Sequence, residues 1–199
     1  LQRGAPGKMS AGGEGVTRYA LLLRGINVGG HTRVPMAELR KVLEGLGFGG
    51  VRTHLNSGNA IFESREGGAA LTERIEGALQ AAFSFRIPAL ILSAGEMREA
   101  VAGLPFSARQ AEHARAAAGD AASLYAAFLS AEPSREAEDR MEALKRPGET
   151  FFVSGRIVYL LLEHSIRECA LFSGLDKIDA RATVRNWNTV TRLNEMLDG

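Results

Sequence analysis

The order in which apolar patterns follow one another constrains this chain most. Short continuous apolar runs, suited to strands buried on both faces, alternate with stripes at helical spacing, and the same order comes twice. In the first pass, a strand over 18–23 contains Tyr19-Ala20-Leu21-Leu22-Leu23. A helix then opens at Pro35 with Met36, Leu39, Val42, Leu43 and Leu46 along one stripe, and Gly47 stops it with Phe48 beyond the cap. Strands over 51–55 and 60–62 are joined by Asn56-Ser57-Gly58-Asn59, residue types that form tight turns. A helix over 71–83 and a strand over 87–92 close the unit. Ser93 with Glu96 three residues on is a capping-box signature for a further helix toward Leu104, which ends before Pro105.

The second pass follows an Ala-rich, charged connector over 107–121. Its elements are a strand over 123–129, a helix over 134–144, strands near 150–153 and over 156–162, a helix near 167–175, a strand over 181–185 and a last helix over 188–197. The two hairpins can be laid on each other, Thr53 to Phe62 against Thr150 to Tyr159, with Thr, Ser and Gly coinciding. The expected fold is therefore α+β: two tandem ferredoxin-like (βαββαβ) units with a helical connector and a C-terminal helix. The expected division is a first unit with its connector helix over 16–105 and a second with the last helix over 106–199. Residues 1–15 read as a disordered tail, partly an expression remnant ahead of a native start at Met9.

Composition narrows function mainly by exclusion. Of 199 residues 45% are hydrophobic, enough to bury a sizeable core, and the net charge of +1 lacks the basic excess of a nucleic-acid binder. What unevenness exists is slightly basic in the first half, hinting that an anionic ligand sits there. The single cysteine, Cys169, has no partner within the chain, and the four histidines stand apart from one another. No metal and no cofactor is called for. No apolar run approaches membrane-spanning length and no signal-peptide pattern is present, so a cytoplasmic protein is expected, with no membrane partner.

Three segments can carry chemistry. The loop Arg24-Gly25-Ile26-Asn27-Val28-Gly29-Gly30-His31-Thr32-Arg33 leaves the first strand, and its glycines can expose successive N–H groups that, with two flanking guanidinium groups, can hold an anion. The same residues can equally make a plain turn. In a βαββαβ unit this loop and the turn at Ser57 and Asn59 emerge at one edge of the sheet. Arg185-Asn186-Trp187-Asn188 opens the last helix, where Asn186 or Asn188 can cap N–H groups and Arg185 can steady an anion. Trp187 shares a stripe with Val190, Leu193 and Leu197 and is read as a packing residue ahead of a base-stacking one. Tyr125, Phe128, Phe151, Phe152 and Tyr159 are read as core rather than as a nucleic-acid platform.

Those segments, together with Val34-Pro35-Met36-Ala37-Glu38-Leu39 and Thr183-Val184, resemble the signature segments of the bacterial domain-of-unknown-function 1697 family over about residues 17–197. The resemblance implies two ferredoxin-like halves and brings no catalytic residue to carry over. Family members often have a Gly-rich Arg-Ser-Lys-Leu segment after the seventh strand; here Ser165 to Leu171 reads Ser-Ile-Arg-Glu-Cys-Ala-Leu, which weakens the case for a basic site in the second half. The leading expectation is a protein that binds a small anionic ligand, phosphorylated or nucleotide-like, through Arg24, Asn27, Gly29, Gly30, Ser57, Asn59, Arg185, Asn186, Trp187 and Asn188. A nucleic-acid-binding module and an enzyme of unknown reaction stay open as alternatives.

Overall fold

The computed structural model describes residues 15–28, 32–119 and 121–199. The expected N-terminal tail lies, but for residue 15, outside the described residues. Strand β1 (Thr17–Leu23), helix α1 (Met36–Gly45), strands β2 (Gly49–His54) and β3 (Asn59–Ser64), helix α2 (Gly68–Phe83) and strand β4 (Ala89–Ser93) come first. Helices α3 (Ala94–Ala102) and α4 (Ala108–Ala118) connect them to β5 (Leu124–Phe128), α5 (Arg135–Leu144), β6 (Glu149–Ser154), β7 (Ile157–Leu162), α6 (Ala170–Ile178), β8 (Thr183–Asn186) and α7 (Trp187–Asp198). The strands form two four-stranded antiparallel sheets, in the orders β2-β3-β1-β4 and β6-β7-β5-β8.

Strand alternation builds three apolar layers from two sheets. Successive side chains of β1 point to opposite faces, so Leu21 and Leu23 pack with Leu39, Leu43, Leu71 and Ile75 of α1 and α2, while Ala20 and Leu22 turn the other way. That inner face meets α3 and α7 through Met97, Ala100, Val190 and Leu193, and the same layer takes in Ala126 and Phe128 of β5. Val158, Leu160 and Leu162 of β7 face outward with Met141, Leu171 and Leu175 of α5 and α6. The middle layer thus belongs to both sheets.

Boundaries moved where capping and turn chemistry decide them. Pro35 precedes α1 with extended backbone instead of opening it. Leu55 takes a left-handed φ of 57° and so starts the turn rather than ending β2. Ser165 caps a short 3-10 turn over Ile166–Glu168, and α6 begins only after Cys169. Asn186, whose side chain accepts from Thr189 N at 2.9 Å, caps α7, which therefore starts before Asn188. The connector is helical: Ser107 and Gln110 form a capping box for α4, which buries Ala114.

The two hairpins laid on each other by sequence differ in their turns. Leu22 faces Asn59 and Phe128 faces Ile157. The first turn holds four residues between paired His54 and Asn59, the second only Gly155 and Arg156. A slip of one residue exchanges the faces of a strand. Ile61 lies in the middle layer and Val158, laid on it by sequence, in the outer one, while the Tyr159 hydroxyl donates to Ala100 O of α3.

Two outcomes follow. Because one apolar layer is common to both sheets, the chain should unfold in a single transition, and Leu193→Ala, which truncates a fully buried side chain there, should lower its stability by about 2–5 kcal/mol. Calorimetry together with urea unfolding checks this; separate transitions for the two sheets would contradict it. Cys169 is 1% exposed, and desolvation, reinforced by the Glu149 carboxylate and partly offset by the N–H groups of Phe172 and Leu171, raises its thiol above the ordinary range. Alkylation at neutral pH should therefore be slow in the folded protein and fast once it is unfolded.

Candidate functional site

The loop after β1 and the β2–β3 turn meet because β3 runs between β1 and β2 and returns antiparallel to both. Leu23 N donates to Gly58 O at 2.8 Å. Asn27, at a left-handed φ of 57°, ties the loop down: its Nδ2 donates to Val34 O (3.0 Å) and Asn56 O (2.6 Å), and its Oδ1 accepts from Val34 N at 2.9 Å. Gly58 combines a φ of 75° with close approach, since a Cβ there would sit 2.6 Å from Ile26 Cδ1 and 2.7 Å from Leu23 Cβ.

Arg185 reaches this edge from β8. Strand alternation puts Arg185 and Thr183 on the inner face, opposite Ala126 and Phe128. Its guanidinium has five N–H groups, and the acceptors number five: Asn59 Oδ1 (2.5 Å), Thr183 Oγ1 (2.6 Å), Val184 O (2.8 Å), Leu23 O (2.7 Å) and Ser57 O (3.1 Å). Asn59, wholly buried, is held in turn by His54 O and Ser57 Oγ, at 3.1 and 2.8 Å from its Nδ2. All five acceptors are neutral, and burial brings Arg185 down to about 10, still protonated at neutral pH. A cationic group is thus buried at this edge with no described carboxylate in salt-bridge contact.

Above it lies an open cavity of about 420 Å³, within the range of small-molecule sites. Arg24, Gly25 and Ser57 form one side, Thr183 and Arg185 the floor, and Ile26, Phe172 and Leu175 an apolar wall. Arg24 is half-buried, and its Nη1 donates to Ala180 O at 3.0 Å across the same cleft.

Of the ten residues singled out by sequence, Arg24, Asn27, Ser57, Asn59 and Arg185 come together here, Asn27 as an exposed brace of the loop and Asn59 as a buried one. Gly29 and Gly30 lie outside the described residues. Asn186, Trp187 and Asn188 do not join: β5 pairs Phe128 with Thr183 but Tyr125 with Asn186, so they sit at the far end of β8. There they line a second cavity of about 880 Å³ with Arg115, Ser123 and Leu124, and Trp187 packs against Tyr159 at 6.2 Å. Sequence reasoning missed Thr183 and Phe172. Thr183 was within reach, being two residues before Arg185 in a strand and so on its face; Phe172 arrives through the packing of α6, which leaves no local signal. The aromatic strand residues do not form a platform, because Phe128 is in the middle layer and Tyr125 in the outer one. Among the described residues no group of His, Cys, Asp and Glu is placed to hold a metal, and no helix is long and apolar enough to cross a membrane.

Arg185→Lys keeps a charge but loses the planar fork. With several charge-assisted hydrogen bonds removed at about 1.5–3 kcal/mol each, the variant should lose at least about 3 kcal/mol of stability by urea unfolding. A near-neutral result would mean that the five contacts are not what holds the edge together.

Comparison with known proteins adds the family and a structural neighbour. No curated protein matches the chain. A solved structure of the conserved bacterial protein SP0830 from Streptococcus pneumoniae is similar, at 27% identity, with 92% of this chain and 99% of that one covered and a TM-score of 0.68. The family model described as a protein of unknown function, DUF1697, matches residues 16–159, which run from before β1 into β7. The chain belongs to the DUF1697 family.

Proposed function

We propose that this protein binds a small anionic ligand, phosphorylated or nucleotide-like, in the cavity between the β1 loop, the β2–β3 turn and β8. One observation carries the reading: Arg185 brings a positive charge to the cavity floor while its described partners are all neutral. Desolvating a guanidinium without a counter-ion is costly, and an anion in the cavity would offset that cost.

A comparison inside the molecule supports it. The halves are read as tandem ferredoxin-like units that arose by duplication, 16–105 and 106–199, since sheet orders and element orders correspond and Tyr19 faces the α3 cap Ser93 as Tyr125 faces the α7 cap Asn186. Contacts between the units are reciprocal in kind. The β2–β3 turn meets Arg185 of β8, and Arg156 of the β6–β7 turn meets β4, donating to Ile91 O at 3.1 Å. Arg156, however, also pairs with the Glu96 carboxylate at 2.6 Å. One junction carries its own counter-ion, and among the described residues none pairs with Arg185 at the other, which favours the Arg185 side as the anion site.

Arg24→Ala tests the reading, with inorganic phosphate and adenosine monophosphate as probes. Loss of one charge-assisted contact should weaken binding by about 1.5–3 kcal/mol in titration calorimetry, with little change in the melting temperature of the free protein. A large drop in melting temperature with unchanged affinity would assign the cluster to holding the halves together instead.

A further inference from the structure

We infer that the cavity takes an anion carried on a compact apolar body, an aryl phosphomonoester or an aryl carboxylate, in preference to a bare inorganic anion. This rests on the anion-binding reading above and adds the chemistry of the rest of the ligand.

The head is specified by hydroxyls rather than by the guanidinium itself. All five N–H groups of Arg185 are engaged with protein acceptors, so none is left to fork onto an oxyanion. Its field is relayed instead. Thr183 Oγ1 accepts from Arg185 Nη1 at 2.6 Å, and Ser57 Oγ accepts from Asn59 Nδ2 at 2.8 Å. Each hydroxyl has one proton to donate, and among the described residues no acceptor takes it from either. Both residues line the cavity. Two donors, one polarised directly by a buried cation, suit a single oxyanion head.

The body is specified by the wall. Beside that polar floor stand Ile26, Phe172 and Leu175, with Val28 at the rim, and Phe172 and Val28 remain 43% and 74% exposed. Large apolar side chains left in water at the mouth of a cavity gain by covering, and a ring is the compact shape that stacks on Phe172. An inorganic anion would reach the hydroxyls and leave this surface wet.

Titration calorimetry on the full chain with phenyl phosphate, benzoate, inorganic phosphate, acetate and benzyl alcohol tests the inference. Phenyl phosphate or benzoate should bind about tenfold more tightly than inorganic phosphate or acetate respectively, the scale of partly burying a ring. Which of the two shows the effect identifies the head. Phe172→Ala, at an exposed position, should abolish most of that advantage. Equal affinities for bare and aryl-bearing anions would overturn the apolar-body inference while leaving the anion site standing. Binding by none of the four anions, or benzyl alcohol binding as well as benzoate, would remove the anion site as well.

Discussion

The architecture depends on one buried guanidinium. Arg185 joins β8 to the end of β1 and to the β2–β3 turn, so the chain's last strand is fixed to its first by hydrogen bonds that cross from one sheet to the other. Burying a cation is tolerable only when its donors are matched, and here the match is complete in number. The acceptors are supplied by features that look unrelated along the chain: an inward-facing Asn59, a carbonyl freed by the left-handed turn, and a threonine two residues away on the same strand face. Removing any of them leaves a buried donor without a partner.

Arginine does similar work at other places along the same seam. Arg18 donates to Leu197 O at 3.0 Å and Arg52 to Met196 O at 2.5 Å, so the carbonyl end of α7 is held by cationic side chains of the first sheet. Cations at a helix C-terminus are favoured by the helix dipole as well as by the hydrogen bonds. These guanidinium groups reach carbonyls far along the chain from positions that stay partly or largely exposed, Arg18 being half-buried and Arg52 exposed.

The middle layer gives these polar contacts their leverage. Val190 and Leu193 of α7 share one apolar cluster with Leu22 and Leu92 of the first sheet and Phe128 of the second, so that α7 is a common core element and not an appendage. Packing of this kind forces the inner strand faces to a fixed distance, which in turn decides that Arg185 spans to Asn59 while Asn186, the next residue, faces a different cavity. Two cavities are thereby separated by one step along a strand.

The sequence by itself determined the element order, the apolar faces of α1, α2 and α7, the capping box at Ser93, and the meeting of the β1 loop with the β2–β3 turn. Each of these rests on periodicity, cap chemistry or strand direction within one unit, all of which are local. Tertiary structure alone decided that Arg185 is enclosed by neutral partners, that Phe172 of α6 forms a wall beside Ile26, and that Asn186 to Asn188 stand apart from the rest of the candidate site. It also decided that the two turns differ in length, which the shared Ser-Gly pair obscured. Such features depend on which faces meet after both sheets close on α3 and α7, and contacts between residues more than a hundred positions apart leave no trace in the spacing of neighbours.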